Sequence, residues 1–143
     1  MKNVRDILRG KVSGIHSIVP DATVLAAIGQ MADKNIGALM VMEGDKLVGI
    51  ITERDYARKV FLAGKSSGNT LVKEIMSLNL FFIQPSTTIE ECMALMIENS
   101  VRYLPVIEES RVIGVISMGN VVNTIITEQN FVIKNLQQYI MAG

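Results

Sequence analysis

The chain has 143 residues, of which 49% are hydrophobic and 20% are charged, and its formal net charge is 0. This length fits one compact domain or two small, interdependent halves, and the balanced charge argues against a nucleic-acid partner, which requires a basic surface. The apolar runs are far shorter than the roughly 20 residues of a membrane span, and the N-terminus leads into no secretory signal. The single cysteine excludes an internal disulfide. We therefore expect a cytoplasmic protein that binds neither membrane nor nucleic acid.

The first half of the chain predicts alternating helices and strands. The predicted bounds are, in chain order, a helix at 3–10, an extended piece at 14–19, a helix at 22–35, strands at 38–42 and 46–52, and a helix at 53–63. Asp21 is the predicted N-cap of the second helix, and Tyr56, Val60 and Phe61 are the predicted core anchors of the third. A Gly- and Ser-rich loop at 64–69 then marks the boundary between two halves.

The second half repeats this order and adds one helix. The predicted bounds are a helix at 72–76, an extended piece at 80–84, a helix at 87–99, strands at 103–107 and 111–117, and helices at 119–127 and 129–141. Thr87 and Thr88 each have a Glu three residues later, as a capping box requires. The predicted apolar face of the helix at 87–99 consists of Ile89, Cys92, Met93, Met96 and Ile97. The resulting division is a first repeat at 1–67, a second repeat at 68–128 and a C-terminal helix at 129–143.

A repeated stretch relates the two halves. Residues 49–55 have the sequence GIITERD and residues 114–120 have GVISMGN, and the same offset of 65 positions pairs residues 18–55 with 83–120 without a gap. The positions of the first copy that are identical in the second are Ile18, Pro20, Thr23, Met31, Leu39, Val41, Glu43, Gly49 and Ile51. A repeat at a fixed offset shows one unit built twice. We therefore predict an α/β (α+β) fold of two copies, each strand-helix-strand-strand-helix, with the hairpin sheets side by side around a pseudo-twofold axis.

This order, with the signature Gly-h-h-Thr/Ser-x-x-Asp (h is apolar), resembles the CBS domain, named after cystathionine β-synthase. Two in tandem resemble a CBS pair, or Bateman module, and the resemblance covers roughly residues 3–127. The stretch 37–60 is similar to the stand-alone CBS-pair proteins of bacteria and plant organelles. The family binds adenosine-containing ligands (AMP, ADP, ATP, in some members NAD or S-adenosylmethionine) in two clefts between its repeats. The resemblance therefore implies an adenine nucleotide as ligand and no catalytic cofactor.

The resemblance also implies the residues of both clefts. The first would combine the signature residues Thr52, Arg54 and Asp55 with walls from Gly37, Ala38, Phe81, Ile83, Val101, Arg102 and Tyr103. The second would combine Ser117 and Asn120 with walls from His16, Ile18, Ile36, Gly37, Ala38, Arg102 and Tyr103. The residue chemistry agrees: the Asp55 carboxylate can accept from both ribose hydroxyls, the Thr52 hydroxyl can donate to a phosphate oxygen, and a helix start attracts phosphate.

The same residues also fit a structural role. Thr at an N-cap and Asp in a first turn stabilise any helix, so Thr52 and Asp55 are open to interpretation as a plain cap. Asn120 stands where the family has Asp, and a turn residue and a ribose ligand are equal interpretations of it. Because its amide has no charge, we expect the Asp55 cleft to be the better site. His16 has no second histidine with which to form a metal site, and Cys92 is a predicted core residue.

These patterns favour a non-catalytic regulatory module. The chain contains no nucleophile elbow, Walker loop, metal-ligand spacing or Ser, His and Asp set that would indicate an enzyme. Nucleotide binding would favour one relative orientation of the repeats and signal to a separate regulated protein. CBS pairs commonly dimerise, so the resemblance implies a homodimer, and the helix at 129–141 would pack on the core or on a second subunit. The alternatives are a structural interaction and dimerisation module with vestigial clefts, and a small enzyme that acts on the bound nucleotide.

Overall fold

Each repeat of the chain folds into a strand hairpin with helices around it. The structure is a computed structural model that describes residues 2–10 and 15–142, so that Gly14, at the start of the predicted extended piece, lies outside the described residues. The helices are α1 (Val4–Arg9), α2 (Val24–Lys34), α3 (Glu53–Tyr56), α4 (Val72–Ile75), α5 (Ile89–Asn99) and α6 (Met118–Ala142). The strands are β1 (Ser17–Ile18), β2 (Ala38–Glu43), β3 (Lys46–Thr52), β4 (Tyr103–Glu108) and β5 (Arg111–Ser117). The predicted mixed α/β class is confirmed.

The sheet of the first repeat has the strand order β1-β2-β3. β1 runs parallel to β2, with Ile18 opposite Val41, and β2 pairs antiparallel with β3, with Ala38 opposite Thr52. β2 is buried along its centre, as its continuous apolar run predicts. The core that this sheet shares with the surrounding helices consists of Val24, Ala27, Met31, Leu39, Val41, Ile51, Val60, Val72 and Ile75.

The second repeat has a two-stranded sheet of β4 and β5. Ile83 adds a single parallel bridge to it, opposite Val106. The Ile83 N–H donates to Pro105 O at 3.0 Å, and Ile83 O accepts from the Ile107 N–H at 2.8 Å. The predicted extended piece at 80–84 therefore pairs through one residue, at the place that β1 occupies in the first repeat.

Helix α2 begins two residues later than predicted. Thr23, not Asp21, is the N-cap, because Thr23 Oγ1 accepts from the Ala26 N–H at 3.1 Å. Asp21 instead forms an exposed ion pair with Lys73, with 2.8 Å between its Oδ1 and the lysine Nζ. The hydrogen bond that Lys73 donates to Asp21, and then the charge of Asp21, raise the pKa of Lys73. The prediction of Asp21 as the cap was wrong, since a better-placed hydroxyl follows it.

Helix α5 confirms one predicted cap and most of the predicted apolar face. Thr88 Oγ1 accepts from the Glu91 N–H at 3.2 Å, and the Thr88 hydroxyl donates to Glu91 Oε1 at 3.0 Å. Ile97 is 66% exposed, so its place on the buried face was wrong; it lies about 100° around the helix from the preceding Met96. The buried residues of α5 are Ile89, Cys92 and Met96.

The helix that follows β3 changes from α-helical to π-helical geometry after four residues. α3 ends at Tyr56, which packs against the core, and residues 57–61 form a π-helical turn. Val60 is fully buried, whereas its neighbour Phe61 is 70% exposed. The prediction of Phe61 as a core anchor was therefore wrong, because the wide turn directs Val60 into the core and leaves the next side chain in solvent.

The predicted break between the last two helices does not exist. α6 runs from Met118 to Ala142, because residues 120–142 contain no Gly or Pro that would end it. Its first turns pack on α5 and bury Val121. Among the described residues, none of the helices has the length and hydrophobicity needed to cross a membrane.

The compact units of the structure do not follow the linear order of the repeats. The units are residues 13–81 with 108–113, and residues 1–12 and 82–107 with 114–143. Helix α4, the first helix of the second repeat in sequence, belongs to the unit of the first, where the Val72 N–H donates to Ala22 O at 2.8 Å. Helix α1 belongs to the unit of the second repeat, where the Val4 N–H donates to Thr87 O at 2.9 Å. The predicted linear boundaries stay a prediction about the repeats.

Candidate functional site

The signature residues of the first repeat form a hydrogen-bonded cap at the start of α3. Thr52 has an extended backbone, and its Oγ1 accepts from the Asp55 N–H at 3.0 Å. Asp55 Oδ2 accepts in turn from the Thr52 backbone N–H and from the Thr52 hydroxyl, both at 3.0 Å. This reciprocal arrangement is a capping box. The structural role that the sequence left open is therefore present, and it holds the carboxylate in one orientation.

Lys59 completes the arrangement around this carboxylate. Its Nζ lies 3.1 Å from Asp55 Oδ1 and donates to Ile75 O at 2.9 Å, so that it connects the start of α3 to the end of α4. The Asp55 side chain is 15% exposed and that of Lys59 is 46% exposed. Such a half-exposed pair contributes little stability, but it places a cation beside the signature carboxylate. Sequence reasoning missed Lys59, although an acidic and a basic residue four positions apart are a typical helical ion pair.

The cap leaves limited hydrogen-bonding capacity at the start of α3. A carboxylate offers about four acceptor positions, and Thr52 and Lys59 fill three of those at Asp55. The Glu53 N–H donates to Gly37 O at 3.0 Å, and the Asp55 N–H donates to Thr52. Two of the N–H groups at this helix start, which could otherwise bind a phosphate, are therefore already bonded.

Ser117 and Asn120 build the same cap at the start of α6. The Ser117 backbone N–H donates to Asn120 Oδ1 at 2.9 Å, and the Asn120 N–H donates to Ser117 Oγ at 3.1 Å. The Met118 N–H donates to Arg102 O at 2.8 Å, which matches the backbone bond at the start of α3. The amide oxygen of Asn120 thus replaces a carboxylate oxygen in the cap without loss of a hydrogen bond to the Ser117 backbone.

The two caps differ in charge at two positions together. Asp55 and Lys59 align with Asn120 and Thr124 at the offset of the repeat. The Thr124 hydroxyl donates to Asn120 O at 2.9 Å, so a neutral side chain replaces the ammonium where a neutral amide replaces the carboxylate. Both charges are absent from the second cap, as expected because a partly buried charge without its partner is costly.

The predicted site residues are distributed over both compact units. The first unit contains His16, Ile18, Gly37, Ala38, Thr52, Arg54, Asp55 and Phe81. The second contains Ile83, Arg102, Tyr103, Ser117 and Asn120. Within the first unit, the bond from Glu53 to Gly37 and the pairing of Ala38 with Thr52 bring the predicted wall residues 37 and 38 to the capped helix start. The assignment of residues to two clefts stays a prediction.

Several predicted wall residues also have a structural role. His16 O accepts from the Met40 N–H at 3.2 Å, beside the start of β1. Ile18 packs against the core of its unit, and Ile83 is 3% exposed. No group of three or more His, Cys, Asp or Glu side chains in the part of the chain that the structure describes is placed to hold a metal ion.

Comparison with known proteins identifies the family. The family model of the CBS domain matches residues 4–61 and again residues 72–127. The chain belongs to the CBS-domain family. The two matches follow one another in the order that the internal repeat predicts, so the chain is a CBS pair, which is a regulatory module. The C-terminal part of α6 lies beyond both matches.

The relatives of this CBS pair include proteins of plants and bacteria. It is 40% identical over 128 residues to the mitochondrial CBS domain-containing protein CBSX3 of Arabidopsis thaliana. The alignment covers 86% of this chain and 62% of that protein. It is 30% identical over 120 residues to the CBS domain-containing protein YhcV of Bacillus subtilis. This alignment covers 84% of this chain and 83% of YhcV. The chain thus spans about three fifths of the plant relative. The predicted resemblance to CBS-pair proteins is confirmed.

Solved structures of CBS domains share this fold. The chain is 45% identical to the CBS domain NE2398, with a TM-score of 0.83 and coverage of 87% of this chain and 98% of that one. A CBS-domain protein of Burkholderia ambifaria is 44% identical, with a TM-score of 0.86 and coverage of 90% and 96%. A hexameric CBS-CP12 protein of bloom-forming cyanobacteria is 27% identical, with a TM-score of 0.75 and coverage of 85% and 66%.

Proposed function

We propose that this CBS pair is a non-catalytic regulatory protein that binds adenosine-containing nucleotides (AMP, ADP, ATP or NAD) and signals to a separate partner protein. The supporting observation is the Asp55 carboxylate, which lies in the first turn of α3, is 15% exposed and has a cation beside it. Its position is that of the signature Asp of the family, whose members typically bind adenine nucleotides. A cytoplasmic location belongs to the same proposal.

The groups of a nucleotide match the residues around Asp55. Ribose hydroxyls donate hydrogen bonds, and Asp55 Oδ1, which contacts Lys59, is the oxygen with capacity to accept them. Arg54 and Arg58 are exposed on the same helical segment and, together with Lys59, supply cations for phosphate oxygens. Release of Lys59 from Asp55 by the ligand would free the carboxylate for ribose and the ammonium for phosphate in one step.

The second cap is proposed as the weaker site. Asn120 can accept or donate a hydrogen bond to ribose but lacks the charge that strengthens such a bond. Thr124 stands at the position of Lys59, and Gly119 at that of Arg54. Because none of these positions has a charge, we expect this repeat to bind an anionic nucleotide less tightly than the first repeat does.

We also propose that the protein acts as a homodimer. The hexameric CBS-CP12 protein shows that a CBS-domain relative self-associates. A ligand that binds one orientation of the repeats better than another would shift the population toward that orientation. A dimer would present this change to the regulated protein as a larger surface, and that protein would be a separate chain.

The alternative is a structural interaction module whose ligand sites are vestigial. One observation favours it: the caps of both repeats are closed within the protein, by hydrogen bonds of 2.9 to 3.1 Å. These bonds explain Thr52, Asp55, Ser117 and Asn120 without a ligand. The two functions therefore predict the same cap and differ only in what the Asp55 charge does.

Thermal unfolding of the full chain distinguishes the nucleotide-binding module from the interaction module. The ligands tested are AMP, ADP, ATP, NAD, S-adenosylmethionine and GMP. A ligand at 100 times its dissociation constant should add about 2.7 kcal/mol of stability. The decisive variant is Asp55→Asn, because Asn120 shows that an amide closes the same cap. We expect this variant to fold like the wild type without ligand and to lose most of the stabilisation by adenine ligands. Asn120→Asp is the matched control and should keep it.

Each outcome has a distinct meaning. Stabilisation by adenine ligands that survives in Asp55→Asn would move the site away from this carboxylate. No stabilisation of the wild type by any ligand would leave the interaction module as the better function. Formation of ADP or AMP during incubation with ATP, and its absence in Asp55→Asn, would contradict the non-catalytic function.

A further inference from the structure

The C-terminal part of α6 exposes a row of large apolar side chains. Those between residues 131 and 141 are 53% to 87% exposed and comprise Phe131, Val132, Ile133, Leu136, Tyr139, Ile140 and Met141. This segment follows the last residue of the second CBS match, residue 127. It therefore lies outside the matched CBS repeats, and its apolar surface needs a separate explanation.

The apolar residues of α6 recur at the spacing of a coiled coil. Ile126, Ile133 and Ile140 are seven residues apart, and Val122, Gln129 and Leu136 lie between them at alternating spacings of three and four. The five apolar members are 38% to 73% exposed. In heptad terms, Ile occupies each a position and Val, Gln and Leu occupy the d positions. β-branched residues at a with Leu at d favour two parallel strands.

The apolar area of the a and d positions is that of a small dimer interface. A fully exposed large apolar side chain presents on the order of 100–200 Å², and the five apolar side chains at these positions are 38% to 73% exposed. They therefore leave roughly 300–500 Å² of apolar surface in water on each chain, comparable with the largest apolar patch of a typical monomer. Two such surfaces together amount to on the order of 1,000 Å², just below the roughly 1,200–2,000 Å² of standard protein interfaces.

The composition of α6 favours a second copy over a lipid surface. The helix contains only two charged residues, Glu128 and Lys134, and its remaining polar positions are mainly Asn, Gln and Thr. Helices that lie on membranes typically have many Lys and Arg residues on the polar face. In the heptad, both charged residues lie at outward positions, so neither is buried or repelled in a pair of identical helices.

Gln129 determines the orientation of the pair. It is exposed and occupies the d position between Val122 and Leu136. In a parallel, in-register pair it faces the same residue of the second copy, and the two amides hydrogen-bond to each other. In an antiparallel pair it would face an apolar residue and lose that partner, at the cost of a buried unsatisfied amide. A single Asn or Lys at an a position specifies register in coiled coils, and the proposal extends this effect to Gln129 at a d position.

We propose that α6 pairs with α6 of a second copy as a parallel, in-register, two-stranded coiled coil over residues 122–140. The proposal rests on the homodimer of the proposed function and names its interface, but it does not depend on nucleotide binding. The second copy is held by an element outside the CBS repeats, which leaves the faces of both repeats available to other partners.

The first test is the mass of the full chain in solution by sedimentation equilibrium. We expect twice the 15.7 kDa of one chain. The double variant Ile133→Asn/Ile140→Asn should raise the dissociation constant at least about 100-fold. Phe131→Asn is the matched control: it removes an apolar side chain that is 67% exposed but lies at the outward f position, so the dissociation constant should change less than about 3-fold. Both variants lie at exposed positions, and circular dichroism checks that they are folded.

The second test addresses orientation by disulfide formation. Gln129→Cys places a thiol at the proposed polar layer, and Gln138→Cys places one at an outward position of the same helix. The native Cys92 is buried and does not compete. We expect Gln129→Cys to form disulfide-linked dimers at least about 10-fold faster than Gln138→Cys, since thiols must approach closely to react. Equal rates would overturn the parallel, in-register pairing.

The outcomes separate this inference from the function above. A monomeric wild type would overturn both the homodimer and the coiled coil, while the nucleotide titration would stand on its own. A double variant that dimerises like the wild type would keep the homodimer and overturn the coiled coil. A third outcome would also overturn the proposal: the wild type is monomeric and binds phosphatidylglycerol vesicles, and the double variant does not bind them. That result would assign this face to a lipid surface.

Discussion

At the residue scale, Asp55 has two structural roles, as a helix cap and as an ion-pair partner. It closes the cap of α3 through Oδ2 and contacts Lys59 through Oδ1. The second repeat keeps the cap with Asn120 and lacks both charges. The capping role therefore requires an oxygen acceptor but no charge, which leaves the charge at Asp55 as the feature that the cap does not explain.

Cys92 makes stability depend on alkaline pH. Its thiol is fully buried, and burial, followed by the charges of Glu91 and Glu90, raises its pKa from 9.0 to about 11. The unfolded thiol ionises at lower pH than the folded one, so the thiol contributes fully below pH 9 and its contribution is lost as the pH rises to about 11. We expect the free energy of unfolding to fall by about 1–3 kcal/mol over this window, measured by urea unfolding.

Cys92→Ala is the control for this prediction, because the aligned residue of the first repeat is the buried Ala27. The variant should be less stable at neutral pH, since it loses a buried sulfur. It should also have a shallower decrease in stability between about pH 9 and 11, because it lacks the buried thiol. The same pH dependence in variant and wild type would contradict the role of the thiol.

At the scale of the elements, the first glycine of the repeated signature is a packing residue. A Cβ on Gly49 would lie 2.7 Å from Met76 Sδ and 3.1 Å from Ser77 O. A Cβ on Gly114 would lie 2.7 Å from Leu8 Cδ2. β3 therefore lies against the residues that follow α4, and β5 lies against α1. A glycine in a strand often marks such a close approach, and here the approaching segment is the first helix of the other repeat or the residues directly after it.

We expect Gly49→Ala to destabilise the protein more than Gly114→Ala. Ser77 O accepts from the Ile50 N–H at 3.1 Å, so this backbone cannot retreat without weakening that bond. The Leu8 methyl group is the end of a flexible side chain and can rotate away. The cost should be about 1–3 kcal/mol for Gly49→Ala and less than about 1 kcal/mol for Gly114→Ala. Chemical denaturation measures both, and equal costs would argue against this packing.

At the scale of the whole molecule, each compact unit includes the first helix of the other repeat. Val72 of α4 and Val4 of α1 are both fully buried. Val72 belongs to the core around β2 and β3, whereas Val4 belongs to the unit that contains α5. The chain therefore crosses from one unit to the other more than once, which a division into consecutive repeats would not produce.

Native-state hydrogen exchange tests whether α1 and α4 pack in the unit of the other repeat. We expect Val72→Ala, at a cost of about 2 kcal/mol, to lower protection in β2 and β3 more than in β4 and α5. Val4→Ala should have the opposite pattern, because local openings follow local packing. If Val4→Ala lowered protection mainly in β2 and β3, the linear division into 1–67 and 68–128 would describe the units better.

The features that could be predicted depend on residues close together in sequence. β3 and β5 begin and end where their apolar runs and turns predict, and the CBS repeat follows from the offset of 65 positions. Local patterns failed where two neighbouring residues were nearly equivalent. Asp21 and Thr23 both suit an N-cap, and Phe61 is as apolar as Val60, so contacts with other elements decided between them.

By itself, the sequence determined the duplicated α/β unit, the family and the positions of the signature residues, because these depend on repetition, periodicity and short-range hydrogen bonding. Only the tertiary structure decided that α1 and α4 pack in each other's unit and that the apolar row of α6 is exposed. The physical reason is that helices with similar apolar faces can cover either sheet. Which one they cover depends on close packing between residues far apart in the chain, and no local pattern records it.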